Sequence, residues 1–279
     1  MGTDSKENIR RGLSDREALA LTRLAGRGRT IITIGDIEEA LGITYSDAKQ
    51  IAHDLVRKRW LDRLKPGTYL IVPLAAGETG EYTEHEYVIA DHLADPMYIS
   101  YWSALDHHGL TEQVPLTVYA ATTATAGQVP TREIHGVTYR FVTLTERKFF
   151  GYRPEAIGTH SVDIATVEKA LADCADHPEH CGGIIELAKA LGNADGLDTA
   201  ALADSLLRME NGAAIKRLVY LADLLDIELA KRDTLEQGFT TGYPRLDPTR
   251  DDDGRHSRQY RLRLNVPEPE LERVAGDRR

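Results

Sequence analysis

Apolar residues in the first part of the chain recur at helical spacing, in short stretches bounded by residues that cap helices. Ser14-Asp15-Arg16-Glu17 is a capping box, in which a hydroxyl and a carboxylate each accept a backbone amide hydrogen that the helix start leaves unpaired. It opens a helix with the stripe Ala18, Leu21, Leu24 and Ala25, closed by Gly26 and Gly28. Thr33 with Asp36 predicts a second helix ending near Leu41, and Gly42 stands just past its end. Ile43 and Thr44 make a turn, and Thr44 with Asp47 caps a third helix running to about Arg59. In that helix Ala48, Ile51, Ala52, Leu55 and Val56 fall at i, i+3, i+4, i+7 and i+8, one buried stripe. Residues 61–64 and 69–72 then read as two strands around the turn Lys65-Pro66-Gly67-Thr68. Three helices and a hairpin over 14–74 predict a winged helix–turn–helix.

Such a unit places its third helix in the major groove, N-terminal half toward the base edges. Tyr45, Ser46, Lys49, Gln50 and His53 are therefore the candidate base or phosphate contacts. Arg57, Lys58 and Arg59 come later on the helix and suit the backbone. Arg63 and Lys65 on the wing, with Arg27 and Arg29 ahead of the second helix, flank it. The alternative is a winged helix used for protein contacts, with these charges merely solvated.

The remainder predicts a different architecture. Residues 1–13 read as a flexible start, 75–83 with Gly77 and Gly80 as a linker, 84–266 as a second domain, and 267–279 as a flexible tail. Helical patterns lie at 84–94 and 100–108, a β-rich run at 116–121, and a strand pair at 134–137 and 139–142. A short strand is expected at 149–152, helices at 164–175, 182–191, 198–208 and 211–229, and a last strand pair at 243–246 and 259–264. Strands first and helices later predict an α+β domain rather than a doubly wound sheet.

Charge sharpens the division. The net charge of −10 separates into +3 for residues 1–74 and −13 for the rest. A basic head on an acidic body fits a DNA-binding module joined to a part that does not bind DNA. Acidity distributed in this way equally fits the solvated surface of a salt-adapted protein. No apolar run approaches the ~18–20 residues of a membrane span, and the N-terminus has no signal-peptide core, so a cytoplasmic protein without a membrane partner is expected. Two cysteines do not make a disulfide framework.

Candidate chemistry is sparse. Cys174, His177, His180 and Cys181 are zinc-ligand types, but the spacing with an internal Pro178 is not a usual structural-zinc spacing, and adjacent His180 and Cys181 diverge. No metal and no cofactor are expected. Glu168, Lys169 and Asp173 read as a charged helix face. No catalytic triad order, phosphate-cradling glycine loop or paired-carboxylate motif is present, so no enzyme and no catalytic residues are expected. Tyr98, Tyr101 and Trp102 pack with Leu105 on one helical side, and His107-His108-Gly109 ends that helix.

The segment Tyr98-Ile99-Ser100-Tyr101-Trp102-Ser103-Ala104-Leu105, followed by His108-Gly109-Leu110-Thr111-Glu112-Gln113-Val114-Pro115, resembles the abortive-infection antitoxin family AbiEi. Further similarities are Gly67-Thr68-Tyr69-Leu70-Ile71-Val72-Pro73, the helix Ala165–Asp173 pattern A-x-x-E-K-x-L-x-D, Ile215-Lys216-Arg217-Leu218, and Tyr243-Pro244-Arg245-Leu246-Asp247-Pro248. The chain departs at Tyr260, ahead of Asn265, where relatives often carry Trp. The resemblance spans about 14–266. It implies a winged helix that binds double-stranded DNA at its own promoter and represses its operon, and a C-terminal domain that opposes a nucleotidyltransferase-like toxin in a type IV toxin–antitoxin system. Binding of that toxin is not required by the resemblance. A stand-alone regulator and a protein-interaction module remain alternatives, and the oligomeric state is not implied.

Overall fold

The structure, a computed structural model, describes residues 9–113, 115–125 and 131–276. Val114 of the family-like segment and the outermost terminal residues lie outside them. The chain divides into two compact units at Leu93/Ala94.

In the first unit, α1 (Asp15–Gly26) starts at Ser14, whose backbone amide donates to Glu17 Oε2 at 2.6 Å to complete the expected capping box. Its buried residues are Glu17, Ala20, Leu21 and Leu24, while Ala18 is half-buried and Ala25 exposed. The stripe is rotated from the expected one because Glu17 is held inside by partners described below. β1 (Ile31–Thr33) was not anticipated; Ile31 and Ile32, both buried, bring it into a sheet. α2 (Ile34–Leu41) has the Thr33/Asp36 capping box and closes on Gly42 in the left-handed conformation. α3 (Tyr45–Arg57) stops two residues early. Arg59 takes a left-handed φ of 64°, and the amides of Arg59 and Trp60 donate back to the carbonyls of Val56 and Leu55, which seals the helix end. β2 (Leu61–Lys65) and β3 (Thr68–Ile71) form the wing, with Gly67 at φ 79° in the turn. The sheet order is β1-β3-β2, antiparallel throughout.

Residues 10 and 11, expected to belong to a flexible start, are bonded to the rest of the unit. The Arg10 guanidinium donates to the carbonyls of Arg59 and Val72 and lies 4.4 Å from the Trp60 ring centroid. Trp60 in turn donates to the Arg11 carbonyl at 2.8 Å. The unit also includes α4 (Glu86–Leu93), so its boundary lies beyond the linker expected at 75–83. Lys65 Nζ donates to the Leu93 carbonyl at 3.3 Å and ties that helix end to the wing.

The second unit is a mixed six-stranded sheet with helices. Its strands are β4 (Met97–Ile99), β5 (Thr117–Thr122), β6 (Arg132–Ile134), β7 (Val137–Thr143), β8 (Tyr152–Ile157) and β9 (His160–Ala165), in the order β6-β7-β5-β4-β9-β8. β5 pairs β7 and β4 pairs β9 in parallel; the other pairs are antiparallel. α5 (Tyr101–His107) follows β4, so Tyr98 sits on a strand rather than on that helix. Gly109 ends α5 with φ 69°, as its position predicts. α6 (Val167–Asp176), α7 (Ile184–Asn193), α8 (Thr199–Met209), α9 (Gly212–Leu224) and α10 (Arg232–Gln237) come next.

Four expectations change here. Residues 160–165 form a strand, so the helix expected from 164 starts only at Val167, and the expected strand at 149–152 begins only at Tyr152. β10 (Arg255–Ser257) pairs with β11 (Leu262–Leu264), whereas Arg245 contributes a single bridge to Arg263. The tail is helical: α11 (Glu268–Gly276) buries Leu271 and Val274. Among the described residues no helix is long and apolar enough to cross a membrane. The class is α+β, an N-terminal winged helix followed by a mixed α+β region.

Candidate DNA interface

α3 is fixed from behind. Ala48, Ala52 and Leu55 are fully buried in the first unit's core, among Leu24, Ile32, Ile37 and Leu61. Helical periodicity then turns Tyr45, Ser46, Lys49, Gln50, His53 and Arg57 outward, and all six are exposed. Tyr45 is 55% exposed, a large ring left in solvent at the helix N-terminus. Thr44 caps this end by accepting the Asp47 amide at 3.3 Å.

Asp54 organises the later half of the same face. Its carboxylate accepts from Gln50 Nε2 at 3.1 Å and from Arg57 Nη2 at 2.8 Å, with His53 Nδ1 4.0 Å away. These are one-turn neighbours on a helix surface, each pair contributing a few tenths of a kcal/mol. Their larger effect is positional: Gln50 and Arg57 are pre-oriented along the exposed face. Sequence reasoning missed Asp54, although its i+4 and i+3 spacing to those residues signals the role.

Lys58 departs from the expected set. Its ammonium donates to Glu17 Oε2 at 2.6 Å, with the Lys58 and Glu17 side chains 21% and 6% exposed. This pair struts α1 against the end of α3. Burial pushes the Glu17 carboxyl up, but the bonds from Lys58 and from the Ser14 amide and hydroxyl outweigh it and hold the group below its ordinary value. Lys58 is thus a structural cation. On the wing, Arg63 is exposed, whereas Lys65 is half-buried against Leu93. Arg27 pairs with Glu39 at 3.2 Å and Arg29 pairs with Asp36, so both flanking arginines lean on α2.

Several residues of the family-like segments are buried in the second unit, among them Tyr98, Ser100, Lys169 and Asp173. Asp173 accepts from Tyr98 Oη at 3.1 Å and Ser100 Oγ at 2.7 Å on one oxygen, and from Lys169 on the other. Lys169 and Asp173 are both wholly buried, and the ammonium lies 4.9 Å from the Phe150 ring centroid. Their face is therefore not solvated, contrary to expectation. Burial first, and the Asp173 charge second, push the Tyr98 phenol well above its ordinary value. Arg217 donates to the carbonyls of Ala175 and Leu246, and Lys216 to those of Thr240 and Gly242. Asp247 accepts the Ile184 amide at 3.1 Å and so caps α7, whose N-cap residue Gly183 has no side chain to do so. Cys174 and Cys181 are buried free thiols; burial, then a hydrogen bond with Cys181, push the Cys174 thiol well up.

Residues 11–68 match the MarR family, a span that covers the three helices and the wing turn. No curated protein matches the chain. Among solved structures it is similar to the RV2827C protein from Mycobacterium tuberculosis, with a TM-score of 0.67 and 18% identity over 97% of this chain and 98% of that one. At that identity the likeness is one of fold. The N-terminal unit is a MarR-like winged helix, which suggests a DNA-binding transcriptional regulator.

Proposed function

We propose that the chain represses its own operon through its winged helix, and that its C-terminal unit is the antitoxin of a type IV system opposing a nucleotidyltransferase-like toxin. The observation that carries the first part is the exposed face Tyr45, Ser46, Lys49, Gln50 and His53 on a helix anchored from behind and followed by a wing. The second part rests on the resemblance of residues 98–115 and 165–173 to the antitoxin family. The C-terminal unit works without catalysis; the sealing of Lys169 and Asp173 from solvent supports that reading. The protein acts where its promoter is, in the cytoplasm.

A second reading, a stand-alone regulator, is favoured by the family match being confined to residues 11–68. The experiment is a promoter gel-shift paired with a toxin-rescue assay, using the full chain and its Lys49→Ala, Arg57→Ala double variant. Loss of both DNA binding and rescue in the variant reduces the protein to a regulator. Loss of DNA binding with rescue retained supports an antitoxin that works independently of repression. Undiminished DNA binding by the variant removes α3 from the interface.

A further inference from the structure

Between α6 and α7 the chain makes one turn of 3-10 helix, Pro178–His180, with His177 as its N-cap. Three residues per turn place i and i+3 one above the other. His177 and His180 accordingly stack, with ring centroids 5.6 Å apart and 25° between planes. Glu179 closes on the same point, its Oε1 3.0 Å from His177 Nδ1. One ligand atom from each of His177, Glu179 and His180 lies within 4.8 Å of the others. With metal–ligand bonds of ~2.0–2.1 Å, a tetrahedral ion needs its ligands roughly 3.3 Å apart, so binding requires the side chains to rotate inward.

The surroundings suit such an ion. Behind His177, Nε2 faces Asp176 Oδ2 at 3.7 Å, and Asp176 is held by Lys148 and Asn211. A carboxylate behind an imidazole orients a ligating histidine and raises its basicity. Tyr101 packs edge-on against both rings, 5.3 Å from His180 and 6.4 Å from His177. It is wholly buried and sits at a left-handed φ of 53°. Its hydroxyl and the His180 Nδ1 are buried polar atoms with no hydrogen-bond partner among the described residues. A buried polar atom left so is costly, and backbone strain of this kind gathers at binding sites.

We propose that His177, Glu179 and His180 bind a zinc-class divalent cation, leaving an open coordination position beside Tyr101. Two imidazoles and one carboxylate are a borderline-soft donor set, suited to zinc and its neighbours rather than to calcium or magnesium. The site differs from the Cys/His set weighed in the sequence. The Cys181 thiol donates to the Pro178 carbonyl at 3.4 Å, and both cysteines are buried away from solvent. It also replaces the expectation of no metal.

The test titrates zinc chloride alone into the untagged full chain by calorimetry, with cobalt(II) absorption reporting coordination geometry. One bound equivalent is expected, weakened at least ~10-fold by His177→Ala or His180→Ala, a loss on the scale that removing a metal-site partner produces. The Cys174→Ser, Cys181→Ser double variant should bind as the parent does. Glu179 is exposed, so Glu179→Ala reads out the site without threatening the fold, and it too should weaken binding. No stoichiometric zinc, binding unchanged in Glu179→Ala, or loss that follows the cysteines would each overturn the proposal.

Discussion

Ser100 Oγ donates to Asp173 Oδ2 at 2.7 Å, joining the loop after β4 to the middle of α6 across 73 residues of sequence. With Tyr98 on the same oxygen and Lys169 on the other, Asp173 is the centre of a buried ionic node. Removing two charges from water is expensive, and a buried pair offsets that only when the remaining polar atoms are bonded. Here three donors converge on one carboxylate. The two family-like segments therefore meet at one charged node in the core.

Asp173→Ala strands the Lys169 ammonium in an apolar setting and should destabilise the second unit by about 3–5 kcal/mol, read from urea unfolding. The double variant Lys169→Met, Asp173→Leu removes both charges and should unfold at a clearly higher urea concentration than Asp173→Ala. Equal midpoints for the two variants would mean that the pair carries no such electrostatic penalty.

The difference between the two units in legibility is physical. In the N-terminal unit α1, α2 and α3 each carry a cap within three residues, at Ser14, Thr33 and Thr44, so local sequence was enough to place them. In the second unit the decisive partners are distant. α7 takes its cap from Asp247, 63 residues on, and no local signal announces it. Ile164 and Ala165 lie on β9, yet they run directly into the apolar pattern of α6 and read as its first turn. Charges and prolines around 267–270 masked Leu271 and Val274 as the buried side of α11. The exposed face of α3 was legible because periodicity alone defines it, while Lys58 was not, since its partner Glu17 lies 41 residues back.

That partner makes a pH prediction. The Glu17 carboxyl sits below its ordinary value of 4.5, so it binds protons less readily folded than unfolded. Its contribution is fully present above pH 4.5 and is lost as pH falls through the folded value. In a Trp102→Phe background Trp60 reports the first unit, and its melting temperature should fall more steeply below that pH than in the same background with Glu17→Gln. Parallel curves would show that the Lys58 contact is not formed in solution.

The N-terminal strap offers a sharper test of residues 10–13. Arg10→Ala removes two bonds to backbone carbonyls and the cation over Trp60. A loss of about 1–3 kcal/mol in the first unit is expected, with a change in Trp60 fluorescence. An unchanged spectrum and midpoint would mean that this segment is loose after all.

The last prediction separates reading from bracing on one helix. Lys49 and Arg57 are exposed on α3, whereas the Lys58 ammonium is spent on Glu17. Lys49→Ala with Arg57→Ala should weaken promoter binding and reduce the slope of log affinity against log salt by about two, one for each lost phosphate contact. Its melting temperature should stay near that of the parent, because the ion pair lost at Arg57 is exposed and of little value to stability. Lys58→Ala should do the reverse, lowering the melting temperature of the first unit while leaving the salt slope of the folded protein unchanged. The two readouts, salt-dependent gel-shifts and thermal unfolding, are independent. If Lys58→Ala also flattens the slope, its ammonium leaves Glu17 for the DNA on binding, and the strut between α1 and α3 is a feature of the DNA-free protein alone.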